Sequence, residues 1–131
     1  MTRKRALIAM AALVAAAVAL FVVGRSVVAE PLRLTTTGTR YAATVLIEDP
    51  APGRVTVEVV MKSGDPDTVA LSSVMADMGH STAEFTATER QPGHFQAEAE
   101  LFPMTGVWEL SIRLDGPAGE EQLAVKALIT D

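Results

Sequence analysis

From Tyr41 onward the chain alternates apolar and polar residues in short runs. Tyr41, Ala43, Val45 and Ile47 fall on one side of an extended segment, and Val55, Val57, Val59 and Met61 repeat the pattern after a turn. Val69 and Leu71 mark a shorter run from Thr68 to Val74. Phe85 and Ala87 take the apolar side of a Thr-rich stretch from Ser81 to Arg90. Phe95, Ala97, Ala99 and Leu101 follow, then Trp108, Leu110, Ile112 and Leu114, then Leu123, Val125 and Ala127, with Glu121, Lys126 and Leu128 fitting the last run less well. A period of two marks a strand with one buried face. Turn-formers separate the runs: Glu48 to Gly53, Lys62 to Asp67, Gln91-Pro92-Gly93, Pro103 to Gly106 and Asp115 to Gly119. Proline is excluded from sheet interiors, and Gly, Asp and Asn close turns. Leu32 to Tyr41, rich in Thr and Gly, reads as a linker or a first edge strand. The rhythm predicts an all-β, immunoglobulin-like β-sandwich of about seven strands, with Trp108 and Phe95 central to one core.

The N-terminus follows a different pattern. Ala6 to Gly24 carry no charge and are nearly all aliphatic, and Arg3, Lys4 and Arg5 precede them. A run of about 19 residues is long for a signal segment and just spans a bilayer core of about 30 Å. The basic cluster predicts a cytoplasmic N-terminus and places everything after Arg25 on the far side. Val27-Val28-Ala29 before Glu30 offers small residues at a signal-peptidase site, so cleavage stays open. The expected organisation is residues 1–29 as a membrane anchor or signal segment and residues 30–131 as one extracytoplasmic (periplasmic) domain. The chain would then be a single-pass protein of the cytoplasmic membrane.

Charge sharpens this picture. All 16 acidic residues lie after Arg25, against seven basic ones, so the exported part carries a net −9. A nucleic-acid partner needs a basic footprint and is not expected. There is no cysteine, which excludes disulfides, thiol nucleophiles and Cys-based zinc or iron–sulfur sites. No Gly-x-Ser-x-Gly, His-Glu-x-x-His or phosphate-cradling glycine loop occurs. Asp65 and Asp67 sit in a turn, and Glu98 and Glu100 share the solvent side of a strand. No nucleophile–base pair emerges, so catalysis is not expected.

The remaining chemistry is thioether and imidazole. Met75, Met78 and His80 lie close together, and Met104 follows in Phe102-Pro103-Met104-Thr105-Gly106-Val107-Trp108. If the first segment is extended, Met78 and His80 point the same way, and Met75 joins them only through a bend, which Gly79 permits. Pro103 and Gly106 mark a turn that could bring Met104 over. Such donors suit copper, Cu(I) above all, whereas zinc more often takes imidazoles, carboxylates or thiolates. Methionine also fills irregular core gaps, which is the plainer reading of all three. His94, after Pro92-Gly93, is either a surface residue or a further ligand.

Met75-x-x-Met78-Gly-His80, Pro92-Gly93-His94-Phe95 and Phe102-x-Met104-x-Gly106-x-Trp108-Glu109-Leu110 together resemble the YtkA-like domain family, related to FixH-type membrane-anchored proteins. The resemblance spans about Arg54 to Asp131. Phe95 stands where that family has Tyr, and the Ala/Val-rich anchor differs from the Trp/Tyr-rich surroundings of many FixH relatives. The resemblance implies an extracytoplasmic sandwich near copper handling or the assembly of haem–copper respiratory oxidases, with Met75, Met78, His80 and Met104 as ligands. Two readings follow. One is a tethered domain that holds and delivers a copper ion. The other is a non-catalytic, metal-free accessory or assembly subunit of a membrane complex, whose Ala-rich anchor packs closely against other helices.

Overall fold

The computed structural model describes residues 30–130. The expected anchor, its basic flank and the cleavage site before Glu30 fall outside that range. Ten strands form in chain order: β1 (Leu32–Thr37), β2 (Ala42–Ile47), β3 (Gly53–Ser63), β4 (Thr68–Met75), β5 (His80–Ser81), β6 (Phe85–Thr86), β7 (Thr88–Gln91), β8 (His94–Phe102), β9 (Gly106–Gly116) and β10 (Gly119–Ile129). One 3-10 turn, Ala76–Met78, lies between β4 and β5. Among the described residues no helix is long and apolar enough to cross a membrane.

The strands make two antiparallel sheets, ordered β1-β2-β3-β8-β7 and β10-β9-β4-β5, with β6 also paired to β4. The alternating residues decide the layering. Tyr41, Ala43, Val45, Ile47, Val55, Val57, Val59, Phe95, Ala97, Ala99 and Leu101 from the first sheet are buried. They meet Val69, Leu71, Trp108, Leu110, Ile112, Leu114, Leu123, Val125, Ala127 and Ile129 from the second. Trp108 and Phe95 are fully enclosed, as the pattern predicts, and Phe102 meets the Trp108 ring edge-on at 6.1 Å between centroids. This edge-to-face geometry aligns the positive rim of one ring with the negative face of the other.

One expected strand divides into three. The stretch from Ser81 to Arg90 changes sheets: β6 pairs with β4 through Leu71↔Phe85, and β7 pairs with β8 through Glu89↔Phe95. Ala87 is buried at the crossover, where its amide donates to the Val69 carbonyl at 2.8 Å. Arg113 grips Glu84 with two guanidinium nitrogens and holds the loop before β6 against β9. A tract of small polar residues can switch sheets because little apolar surface fixes it to one face.

A second tie closes the end where β9 turns into β10. The Glu121 carboxylate accepts from the Thr39 hydroxyl at 2.6 Å and from the amides of Thr39, Arg40 and Tyr41 at 3.1 to 3.2 Å. The buried Tyr41 donates its hydroxyl hydrogen to the Gly119 carbonyl at 2.7 Å. These bonds join the β1–β2 turn of one sheet to β10 of the other.

The far end, here termed the lower end, brings together most of the candidate chemistry. It holds the start of β1, the end of β2, the start of β3 and the end of β8 on one sheet, as the pairs Leu32↔Ile47 and Gly53↔Phe102 require. On the other sheet it holds the end of β4, the start of β9 and the end of β10. The Thr130 amide donates to the Pro50 carbonyl at 3.2 Å and links the two sheets there.

Candidate metal centre

The hairpin from β4 to β5 builds the first half of the site. Its four-residue connection is the 3-10 turn Ala76–Met78 followed by Gly79, which adopts a left-handed conformation with φ +67°. Glycine enters that region without the Cβ clash that other residues suffer. The Gly79 amide then returns to the Ala76 carbonyl at 3.3 Å. The tight turn sets Met75 directly opposite His80 in the ladder. Opposed residues of an antiparallel pair have Cα atoms about 4.5–5.5 Å apart and project to the same face. Met75 and His80 are therefore neighbours on the core-facing side of the sheet, with Met75 buried at 6% exposure and His80 exposed at the edge.

This differs from the geometry expected of an extended segment. There, Met78 and His80 share a face and Met75 opposes them. The actual bend pairs Met75 with His80 and leaves Met78 on the 3-10 turn, 62% exposed. Gly79 does supply the bend, but it links a different pair.

The loop between β8 and β9 approaches from the other side. Gly106 has φ +137°, and a Cβ placed there would stand 2.5 Å from the Met75 Cε and 3.7 Å from its Sδ. The absent side chain is thus what lets the Met75 thioether lie under the start of β9. Met104 is two residues earlier and 38% exposed, and its carbonyl accepts the Trp108 indole hydrogen at 2.9 Å. A fully buried ring therefore anchors the backbone of the loop that presents Met104.

Two residues not singled out from sequence hold the hairpin. Ser73 is buried, and its hydroxyl donates to the Leu101 carbonyl on β8. The Thr82 hydroxyl lies 3.1 Å from the Ser73 hydroxyl and accepts the Ser73 amide at 3.0 Å. The Thr82 amide returns to the Ser73 carbonyl at 2.9 Å. A Ser on the inward side of β4, between Leu71 and Met75, is the sequence signal that could have found this bond, since a buried hydroxyl requires a partner.

His94 stands apart. It pairs with Val60 at the other end of β8, and its Nδ1 lies 3.3 Å from a Glu58 carboxylate oxygen. A shallow depression lined by Glu58, Arg90, Gln91, Phe95 and Gln96 surrounds it. It is not brought to the Met75–His80 hairpin. Among the described residues no three His, Asp or Glu side chains converge as a metal-binding group. Register brings Met75 and His80 together, while Met78 lies on the adjoining turn and Met104 in the β8–β9 loop; thioether and imidazole are the donor chemistry of a soft ion. No family model, curated protein or solved structure matches the chain.

Proposed function

We propose that this protein is a membrane-tethered, extracytoplasmic copper-binding protein of the YtkA-like type, with an immunoglobulin-like arrangement of its two sheets. It holds a Cu(I) ion between Met75, His80 and Met104, with Met78 on the neighbouring turn, and passes it to an acceptor. The observation that carries this reading is the Met75–His80 register pair, with the Met75 thioether seated under Gly106 beside the Met104 loop. Thioether donors are neutral and soft, so they hold Cu(I) while leaving it exchangeable with a stronger site. The exposed turn carrying Met78 supports capture and release at the surface. The motif resemblance extends the reading to delivery for haem–copper oxidase assembly, with no catalytic step on this chain.

The test is a Cu(I) competition titration of the full chain in mild detergent. The expected result is one ion bound more tightly than micromolar, with affinity at least tenfold weaker in a Met75→Leu, His80→Ala double variant. Met75→Leu conserves volume, so the core persists while the donor is lost. Binding weaker than micromolar, or affinity unchanged in the double variant, refutes the proposal.

A further inference from the structure

We propose that the outer corner formed by Val74, Val107 and Leu128 docks a protein partner whose own apolar patch is rimmed by lysine and arginine. The exposed large hydrophobic residues of the described chain are Val74, Met78, Met104, Val107 and Leu128, and all five lie at the lower end. Their grouping follows from register. Val107 stands opposite Leu128, and Val74 stands opposite Glu109, which in turn faces Lys126. Two rows thus cross the outside of the second sheet, one apolar and one mixed. Val74, Ala76 and Val107 line a shallow depression of about 220 Å³ bordered by Asp77, Glu109 and Lys126. Exposed aliphatic residues scattered singly need no explanation, but a contiguous group at one corner marks an interaction surface.

Charge selects the occupant. Asp77 and Glu109 border the patch against a single lysine, Lys126, and residues after Arg25 carry a net −9. A second copy would bring the same acidic surface to itself, and like charges across an interface oppose association. An anionic lipid leaflet is repelled for the same reason. The patch also lacks the Trp and Tyr that favour the headgroup layer. A protein surface with a small apolar centre and a basic rim satisfies both terms: aliphatic burial at Val74, Val107 and Leu128, and steering toward Asp77 and Glu109. The tether proposed above joins the domain through Glu30 and Pro31, which lead into β1 at this same lower end. The inference shares the tether with the proposed function and does not depend on metal.

A photo-crosslinking amino acid placed singly at Val107 and Leu128 of the full chain, in cells, tests it. Glu98 and Glu120, exposed and away from the corner, serve as controls. The expected result is one protein adduct from both corner positions and none from the controls. Peptide mapping should place it on a partner segment flanked by Lys or Arg. Val74→Lys should lower its yield at least tenfold, while Val74→Glu should lower it less. Thermal melts confirm that each variant folds, and Glu109→Lys repeats the charge test at a second site. An adduct with a second copy, lipid adducts alone, no adduct, equal yields at the controls, a partner surface without basic residues, or full yield in both lysine variants overturns the proposal. Membrane fractionation of the same cells reports the tether, and the copper titration reports the metal, so a failure here is separable from failure of either.

Discussion

Gly106→Ala probes the contact on which the candidate site depends. Gly106 has φ +137°, a backbone region that residues with a Cβ rarely adopt. Holding a non-glycine residue in such a region costs about 1–3 kcal/mol. The added Cβ would also meet the Met75 Cε at 2.5 Å, closer than carbon atoms approach. That atom is the end of a flexible side chain, so the clash is relieved by pushing Met75 off its preferred rotamer, at about 0.5–1.5 kcal/mol. The expected loss is therefore about 1.5–4.5 kcal/mol, or a fall in Tm of roughly 6 °C or more for a domain of this size. Trp108 is the only tryptophan and is fully buried, so its fluorescence during urea unfolding reports the sandwich even in the full chain. Met75→Val removes both Sδ and Cε while keeping a strand-compatible, apolar residue. Gly106→Ala should cost about 0.5–1.5 kcal/mol less in that background than in the parent, because only the clash is relieved. A Gly106→Ala variant within 0.5 kcal/mol of the parent would refute the backbone argument. An equal cost in both backgrounds would refute the placement of Met75 under β9.

Ser73→Ala should destabilise by about 1–3 kcal/mol, because it leaves the buried Leu101 carbonyl without its hydroxyl donor. Amide exchange at Thr82 should accelerate in the same variant, and unchanged protection there would count against Ser73 as the hairpin's anchor. Glu121 is held below the ordinary carboxylate range by the Thr39 hydroxyl and, further, by the backbone amides of Arg40, Tyr41 and Thr39. Its stabilisation is fully present above the unfolded-state value of about 4.3 and is lost as pH falls through the lower folded-state value. Glu121→Gln should therefore flatten the acid side of the stability–pH curve, measured as urea midpoint from neutral pH downward. An acid limb as steep as the parent's would show that other groups control it.

The layers were legible because they depend on period and turn chemistry alone. Each alternating set from Tyr41 to Ala127 points one way, and with Met61 and Phe85 only part-buried it supplies the inner faces. Where one face is apolar, a one-residue slip exposes the whole set, so register is strongly specified. The stretch from Ser81 to Arg90 escapes that constraint. It has only Phe85 and Ala87 to commit: β6 joins Phe85 to the second sheet, the Ala87 amide bonds Val69 at the crossover, and β7 continues on the first sheet. Its division into three is a consequence of partners elsewhere in the chain, and local alternation carries no information about partners. The exposed corner was partly visible. Leu128 falls out of phase with Leu123, Val125 and Ala127, and Val107 is out of phase with Trp108 and Leu110. An apolar residue on the polar phase of a strand has no place in the core. Only the β9–β10 register reveals that these two residues are opposite one another.

The candidate site was legible in residue type and in its closeness to turns, but not in pairing. Residue type comes directly from the chain, whereas Gly79 permits a bend without requiring one. Pairing depended on how many residues the bend would consume. A connection of four residues places His80 opposite Met75, on the same side of the sheet. With one residue more or fewer, the alternation of faces would send the imidazole to the outer side, toward Val74. The same length excludes Met78 from the ladder and leaves it on the turn's surface. The hairpin therefore sorts its donors by access: one thioether fixed in the core's edge, one imidazole at the rim and one thioether in solvent. For the Cu(I) ion proposed above, that gradation would matter more than the number of donors. In that proposal Met75, buried, would fix the ion's position, and Met78, 62% exposed, would exchange it.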